Sequence, residues 1–162
     1  MRIARRRWPL IALALCLLAG LLLEIYTRIP DTIEIPALQE PAKVTSLTLV
    51  FHGSGGSDDV LMTRMATALG AVPAAAPSAV RFSQAVNWSP ASDNRLRAAA
   101  NARVLGAALG RQLGKLPALT ELQLVGHSSG AFVLDALCDS MRAERASSRW
   151  IASIFLDPSG IG

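Results

Sequence analysis

The sequence predicts an α/β fold built on a mainly parallel sheet, and three observations predict it. From Lys43 onward, β-branched and apolar runs alternate with stretches of helical spacing, the order expected when each strand is followed by a helix that crosses back over the sheet. One such run, Leu122 to Val125, stops at Gly126-His127-Ser128-Ser129-Gly130 and resumes as a helical pattern through Phe132, Leu134 and Leu137. The pentapeptide fits G-x-S-x-G, whose strand-to-helix context is a sharp turn that lifts a serine Oγ above a sheet. Two further strand-like runs end in a Gly-rich loop at 52–57 and in an acid at Asp157. Ligands of open α/β sheets bind at those carboxyl ends.

In chain order, the 162 residues are enough for one domain with a core. Four of the 16 basic residues (Arg2, Arg5, Arg6, Arg7) lie in the first seven positions, so the remainder balances the 12 acidic ones. The net charge is therefore an amino-terminal signal, and no nucleic-acid partner is expected, because that needs a basic face on the folded part. The arginines precede Trp8 to Leu23, an uncharged apolar run ended by Glu24. No small-residue cleavage site follows it. Residues 1–27 are therefore expected to be a retained signal anchor that spans a membrane; cleavage would instead release a secreted protein. Basic residues stay inside, which places the rest on the extracytoplasmic side, facing the periplasm from the inner membrane in a bacterium. Cys16 follows the bulky Leu15, which argues against lipidation. Only Cys138 lies beyond the apolar run, so the exported part holds no intramolecular disulfide, and Cys138 is expected to pack as a small hydrophobe.

Residues 28–42, with Pro30, Pro36 and Pro41, read as an extended linker, with a short edge strand at Thr32 to Ile35. The domain, 43–162, is expected to run as a strand Lys43 to Phe51, a helix Asp58 to Leu69, a strand Ala79 to Trp88, and a helix Arg95 to Leu113. That last helix carries an apolar face of Leu96, Ala100, Val104, Ala107 and Ala108 and ends at Gly114 and Pro117. A strand Glu121 to Val125, a helix Ser129 to Met141 and a strand Trp150 to Leu156 complete the series.

Three strand ends offer the parts of an acyl-transfer site. Ser128 is the candidate nucleophile. A free hydroxyl is a poor nucleophile at neutral pH and needs a base, yet neighbouring side chains diverge at a sharp turn, so His127 is a poor choice for it. After the first strand, His52-Gly53-Ser54-Gly55-Gly56-Ser57 is a Gly-rich turn able to present backbone N–H groups to a developing oxyanion. The Ser54 N–H is assigned that role, with the Ser129 N–H as second donor. Neither phosphate-loop pattern, G-x-x-x-x-G-K-[ST] or G-x-G-x-x-G, is present. His52 and Gly53 are expected to support the loop, and His127 to be structural. Asp157 ends the last strand. It fits an acid that orients a histidine and equally a turn-initiating Asp before Pro158. No metal and no organic cofactor is called for.

The ordered set resembles the α/β-hydrolase superfamily, and more narrowly the pancreatic-type triglyceride lipases. The resemblance spans roughly residues 44–160 and rests on Phe51-His52-Gly53, Val86-Asn87-Trp88, Asn101-Ala102-Arg103-Val104-Leu105-Gly106, Gly126 to Gly130, and Leu156-Asp157-Pro158-Ser159. It implies a three-layer α/β sandwich, a serine hydrolase of lipid or other acyl esters, and Asp157 as the triad acid. The chain departs from the pattern in Asn87, which stands where the family has an acid, in Ser129, which replaces a leucine, and in having no cysteine framework. In the family the triad histidine lies downstream of the acid, and no histidine follows Asp157. The expectation is a chain truncated before that histidine, with a sheet incomplete on its carboxyl-terminal side, the last strand an exposed hydrophobic edge and activity weak or absent. The alternatives are a thioesterase or peptidase on the same scaffold and a non-catalytic, membrane-tethered binding protein.

Overall fold

The computed structural model describes residues 8–38, 43–55, 59–72, 79–143 and 150–156. Its first element, α1 (Trp8–Arg28), is a helix of 21 residues with no buried side chain. At about 1.5 Å per residue it is about as long as the ~30 Å hydrocarbon core of a bilayer, and it is apolar enough to cross one or to act as a signal. Pro9 is tolerated because the N–H groups of a first helical turn have no intrahelical partner.

The remaining elements follow the predicted order: β1 (Ser46–Phe51), α2 (Asp59–Gly70), β2 (Arg81–Val86), α3 (Ala98–Gly114), β3 (Glu121–His127), α4 (Gly130–Ala143) and β4 (Trp150–Leu156). All pairings are parallel, in the order β2-β1-β3-β4. β1 is buried along its whole length, as a central parallel strand covered on both faces should be. Met62 and Ala66 of α2 meet Val50 and Val125 in one core cluster. The main core, holding Leu47, Leu49, Leu122 and Leu124, is formed with α3 and α4. The result is three layers, helix on sheet on helix, and an α/β fold. The crossover from β1 leads outward to β2 and that from β3 leads the other way to β4, so β1 and β3 bracket the topological switch point, where ligands of such sheets bind.

Two expectations are corrected. Of the apolar face assigned to the third helix, Ala100 is buried but Leu96 and Val104 are 55% and 39% exposed, and the core face runs instead through Ala98, Ala102, Leu105, Leu109 and Leu113. The cause is the glycine pair. A Cβ on Gly106 would strike the Val133 carbonyl, and one on Gly110 would come within 2.5 Å of the Leu137 carbonyl. The bare backbone at these positions lets α3 press against α4 and turns Leu105, Leu109 and Leu113 toward the sheet. The second correction is Thr32 to Ile35, which forms no strand. Ile33, Ile35 and Leu38 pack against the main core instead, and the Asp31 N–H donates to Asn101 Oδ1 at 2.7 Å, so the backbone is held by side chains rather than by a sheet edge. The last strand matches its predicted bounds and lies at one edge of the sheet, with Ile154 and Phe155 about half exposed.

Candidate active site

The site is assembled by strand register. Pairing of β1 with β3 sets Phe51 beside Gly126, and pairing of β3 with β4 sets His127 beside Leu156. The ends of all three strands therefore meet at one level. The turn out of β3 is tight: Ser128 has φ 52°, the only positive value at a non-glycine among the described residues. Left-handed backbone is costly for a residue with a Cβ and is retained where the surroundings impose it, commonly at functional sites. Here the Ser128 N–H is held by the Leu156 carbonyl at 3.1 Å, and the Ser128 carbonyl accepts the Ala131 N–H at 3.0 Å. The flanking glycines are sterically required. A Cβ on Gly126 would lie 2.8 Å from the Gly130 oxygen, and one on Gly130 would lie 2.9 Å from both the Phe51 and His52 oxygens.

The loop after β1 packs directly on this turn. A Cβ on Gly53 would sit 2.8 Å from Ser128 Cβ and 3.1 Å from His127 Nδ1. Gly55 has φ 78° and donates its N–H to the Ser92 carbonyl at 3.1 Å, so the loop is tied to the segment that follows β2. Among the described residues no backbone acceptor takes the N–H of Ser54 or of Ser129. Each of the two assigned oxyanion donors is next in sequence to one side of the contact between Gly53 and Ser128. Ser129 is 4% exposed, and its hydroxyl has no partner among the described residues.

His52 is 3% exposed. Its Nδ1 lies 2.8 Å from the Gly53 oxygen and its Nε2 accepts the Trp88 N–H at 3.3 Å. Those two contacts together describe a neutral ring protonated at Nδ1. Asn87 Oδ1 lies 3.4 Å from Nε2 and already accepts the Ser89 N–H at 3.0 Å; two acceptors make no bond between them. The Trp88 indole N–H donates to the His52 carbonyl at 3.0 Å. His52 is therefore a buried strut that fixes the loop, with neither ring nitrogen turned to Ser128. His127 is partly exposed and lines the same pocket as Ser128; among the described residues neither its ring nor the Ser128 hydroxyl makes a hydrogen bond. Asp157 and residues 56–58 lie outside the described residues, although Leu156, immediately before the acid, borders the pocket.

That pocket measures ≈ 300 Å³, at the small end of ligand sites. One wall is polar, from His52, Gly53, Ser54, His127 and Ser128; the other is apolar, from Leu61, Met62 and Met65 of α2 with Leu156. No family model, curated protein or solved structure matches this chain. Among the described residues no group of three or more His, Cys, Asp or Glu is placed to hold a metal ion. The sequence pointed to Ser128 and the loop at Gly53, which the structure brings together, and did not point to the apolar wall on α2 or to the contacts of Trp88 with His52. Their only signals were the helical spacing of Leu61 and Met65 and an aromatic residue at a strand end.

Proposed function

We propose that the chain is an exported, membrane-anchored serine acyl hydrolase of the α/β-hydrolase type, acting on carboxylic esters of lipids or other acyl groups. The observation that carries this reading is the strained Ser128 backbone at the β3–α4 turn with the Gly53 loop packed against it. In the reaction, Ser128 Oγ attacks the acyl carbonyl carbon and gives its proton to a base. The oxygen that becomes negative is met by the Ser54 and Ser129 N–H groups, which are preorganised and need no reorientation. Collapse of the tetrahedral intermediate expels the alcohol, which takes the proton from the base, and leaves an acyl-serine that water hydrolyses by the same route. The Leu61, Met62, Met65 and Leu156 wall suits the acyl part. Asp157 is the acid that orients the base. The base in this reading is a histidine that is neither His52, whose ring is engaged, nor His127, which is expected to stay structural. The basic segment before α1 keeps that end inside, leaving the domain on the extracytoplasmic side.

A fluorophosphonate probe tests the reading. The full-length protein should be labelled at Ser128, and Ser128→Ala should abolish labelling; labelling that persists in the variant would overturn it. The 162 residues hold two histidines, His52 and His127, and with neither acting as the base their turnover is expected to be very weak, because a triad lacking one member retains only residual catalysis. A robust rate that survives His127→Ala would point to a base elsewhere, and one lost in that variant would assign the base to His127. A second reading, a membrane-tethered binding module on the same scaffold, is favoured by one fact: among the described residues no side chain hydrogen-bonds the Ser128 hydroxyl. It predicts no labelling together with retention of an acyl ligand in the pocket.

A further inference from the structure

The exposed side of α3 faces the end of α1. Arg97 joins the two: its guanidinium lies 3.9 Å over the Tyr26 ring, its Nε donates to the Tyr26 carbonyl at 3.2 Å, and it pairs with Asp31. Asn101, fully buried, holds Asp31 from the other side: its Oδ1 accepts the Asp31 N–H at 2.7 Å and its Nδ2 donates to Asp31 Oδ2 at 3.0 Å. Beside this clamp is a cleft of ≈ 590 Å³ between the last turn of α1 and α3, lined by Ala99 and Ala100, by the apolar Leu96 and Val104, and by the charged Glu24, Arg28 and Arg103.

We propose that this cleft receives the anionic headgroup of a phospholipid from the leaflet that holds Tyr26, with the phosphate at Arg103 and Arg28 and the glycerol region against Leu96 and Val104. The inference rests on the reading of α1 as a membrane-spanning anchor, and on none of the hydrolase chemistry. Three observations support it. A helix of 21 residues fills the apolar thickness of a bilayer, so its last turn, Glu24 to Arg28, belongs in the headgroup layer. At that level Leu96, just before α3, and Ala100 and Val104 on it line the side toward the anchor, and the two larger of them are left exposed. Finally, the rim is cationic. Arg28 is bound by Glu24 at 2.7 Å, but the Arg103 guanidinium stacks 5.0 Å over Phe132 and its N–H donors have no partner among the described residues. The net rim charge is therefore about that of one arginine, and one such charge near an anionic surface favours it about fivefold.

The test uses the full-length chain reconstituted in bilayers carrying spin-labelled phosphatidylglycerol or phosphatidylcholine, with the motionally restricted lipid read by electron paramagnetic resonance. The expected result is about a fivefold association preference for phosphatidylglycerol, brought to parity by Arg103→Gln and also by Ala99→Phe, which fills the cleft without changing any charge. Equal association of the two lipids in the parent protein would overturn the proposal. So would a preference that survives Ala99→Phe, which would reduce the effect to surface charge. If both labels lack a restricted component, α1 does not span the bilayer, and the anchor reading falls together with the cleft. Hydrogen exchange at the Asp31 amide shows whether each variant keeps the clamp; where Ala99→Phe opens it, Arg103→Gln decides.

Discussion

The strain at Ser128 makes a quantitative prediction that separates backbone from chemistry. Both Ser128→Ala and Ser128→Gly remove the hydroxyl, which makes no hydrogen bond among the described residues, so loss of that group should affect the two variants equally. They differ only at the backbone. With φ 52°, alanine keeps a Cβ in the left-handed region at a cost of roughly 1–2 kcal/mol, and glycine does not. Glycine also loses more chain entropy on folding, roughly 0.5–1 kcal/mol. The difference of those ranges leaves Ser128→Gly more stable than Ser128→Ala by up to about 1.5 kcal/mol, and by about 0.75 kcal/mol at their midpoints, which is about 1.5–3 °C in melting temperature for a chain of this size. Thermal melts of the two variants, side by side in one detergent or bilayer preparation, provide the measurement. A Ser128→Gly protein that melts at or below Ser128→Ala would refute the claim that the turn is held under strain, and with it the main physical support for a nucleophile at this position.

Three further outcomes follow from the contacts around that turn. Gly53→Ala forces a Cβ to 2.8 Å from Ser128 Cβ, an overpacking expected to cost about 1–3 kcal/mol and to slow fluorophosphonate labelling of Ser128 by about tenfold or more; unchanged melting and labelling would show that the loop is not seated on the nucleophile. Ser129→Ala removes a buried hydroxyl without a partner among the described residues while keeping the backbone N–H, so stability should hold or rise by up to about 1 kcal/mol with labelling retained, and a large loss of stability would reveal a partner for that hydroxyl. The Asp31 carboxylate is held below the usual carboxylate range by the Asn101 amide and then by Arg97, with Asn94 also donating to it. A lowered folded-state value means that the clamp's contribution is complete above the ordinary carboxylate pKa and is lost only as pH falls through the lowered one. Exchange protection of the Asp31 amide should therefore be flat from about pH 5 upward, after correction for intrinsic exchange, and should weaken in stronger acid; a loss near neutral pH would contradict it.

Much of the architecture could be read from residue order because its determinants are local. β1 and β4 are short runs rich in apolar and β-branched residues, β2 and β3 mix such residues with polar ones, and each helix of the domain begins within about one turn of where the spacing changes. The G-x-S-x-G turn carries its own steric explanation in two glycines that a side chain would push into neighbouring carbonyls. What escaped was the orientation of α3. Helical spacing weighs the side chains that are present, and it ranked Leu96, Ala100 and Val104 as the buried stripe. The packing was decided by side chains that are missing, at Gly106 and Gly110, which no apolar periodicity registers. The docked segment after α1 escaped for a similar reason: Asp31 and Asn101 are single polar residues far apart in sequence, and their pairing becomes visible only once Asn101 is buried.

The candidate site combines both kinds of information. Ser128 announces itself locally, whereas the loop that serves it is brought there by the register that sets Phe51 beside Gly126, a long-range pairing fixed by which faces of β1 and β3 are buried. The same topology explains why there is room for a ligand. The chain leaves β1 toward α2 on one face of the sheet and leaves β3 toward α4 on the other, so the two loops diverge as soon as they pass Gly53 and Ser128. Their divergence opens the pocket, and α2 supplies its apolar wall through Leu61, Met62 and Met65. A polar side of His52, Gly53, Ser54, His127 and Ser128 thus faces an apolar side of Leu61, Met62, Met65 and Leu156 at the switch point, and the acyl substrate we propose would set its carbonyl against the first and its hydrocarbon against the second.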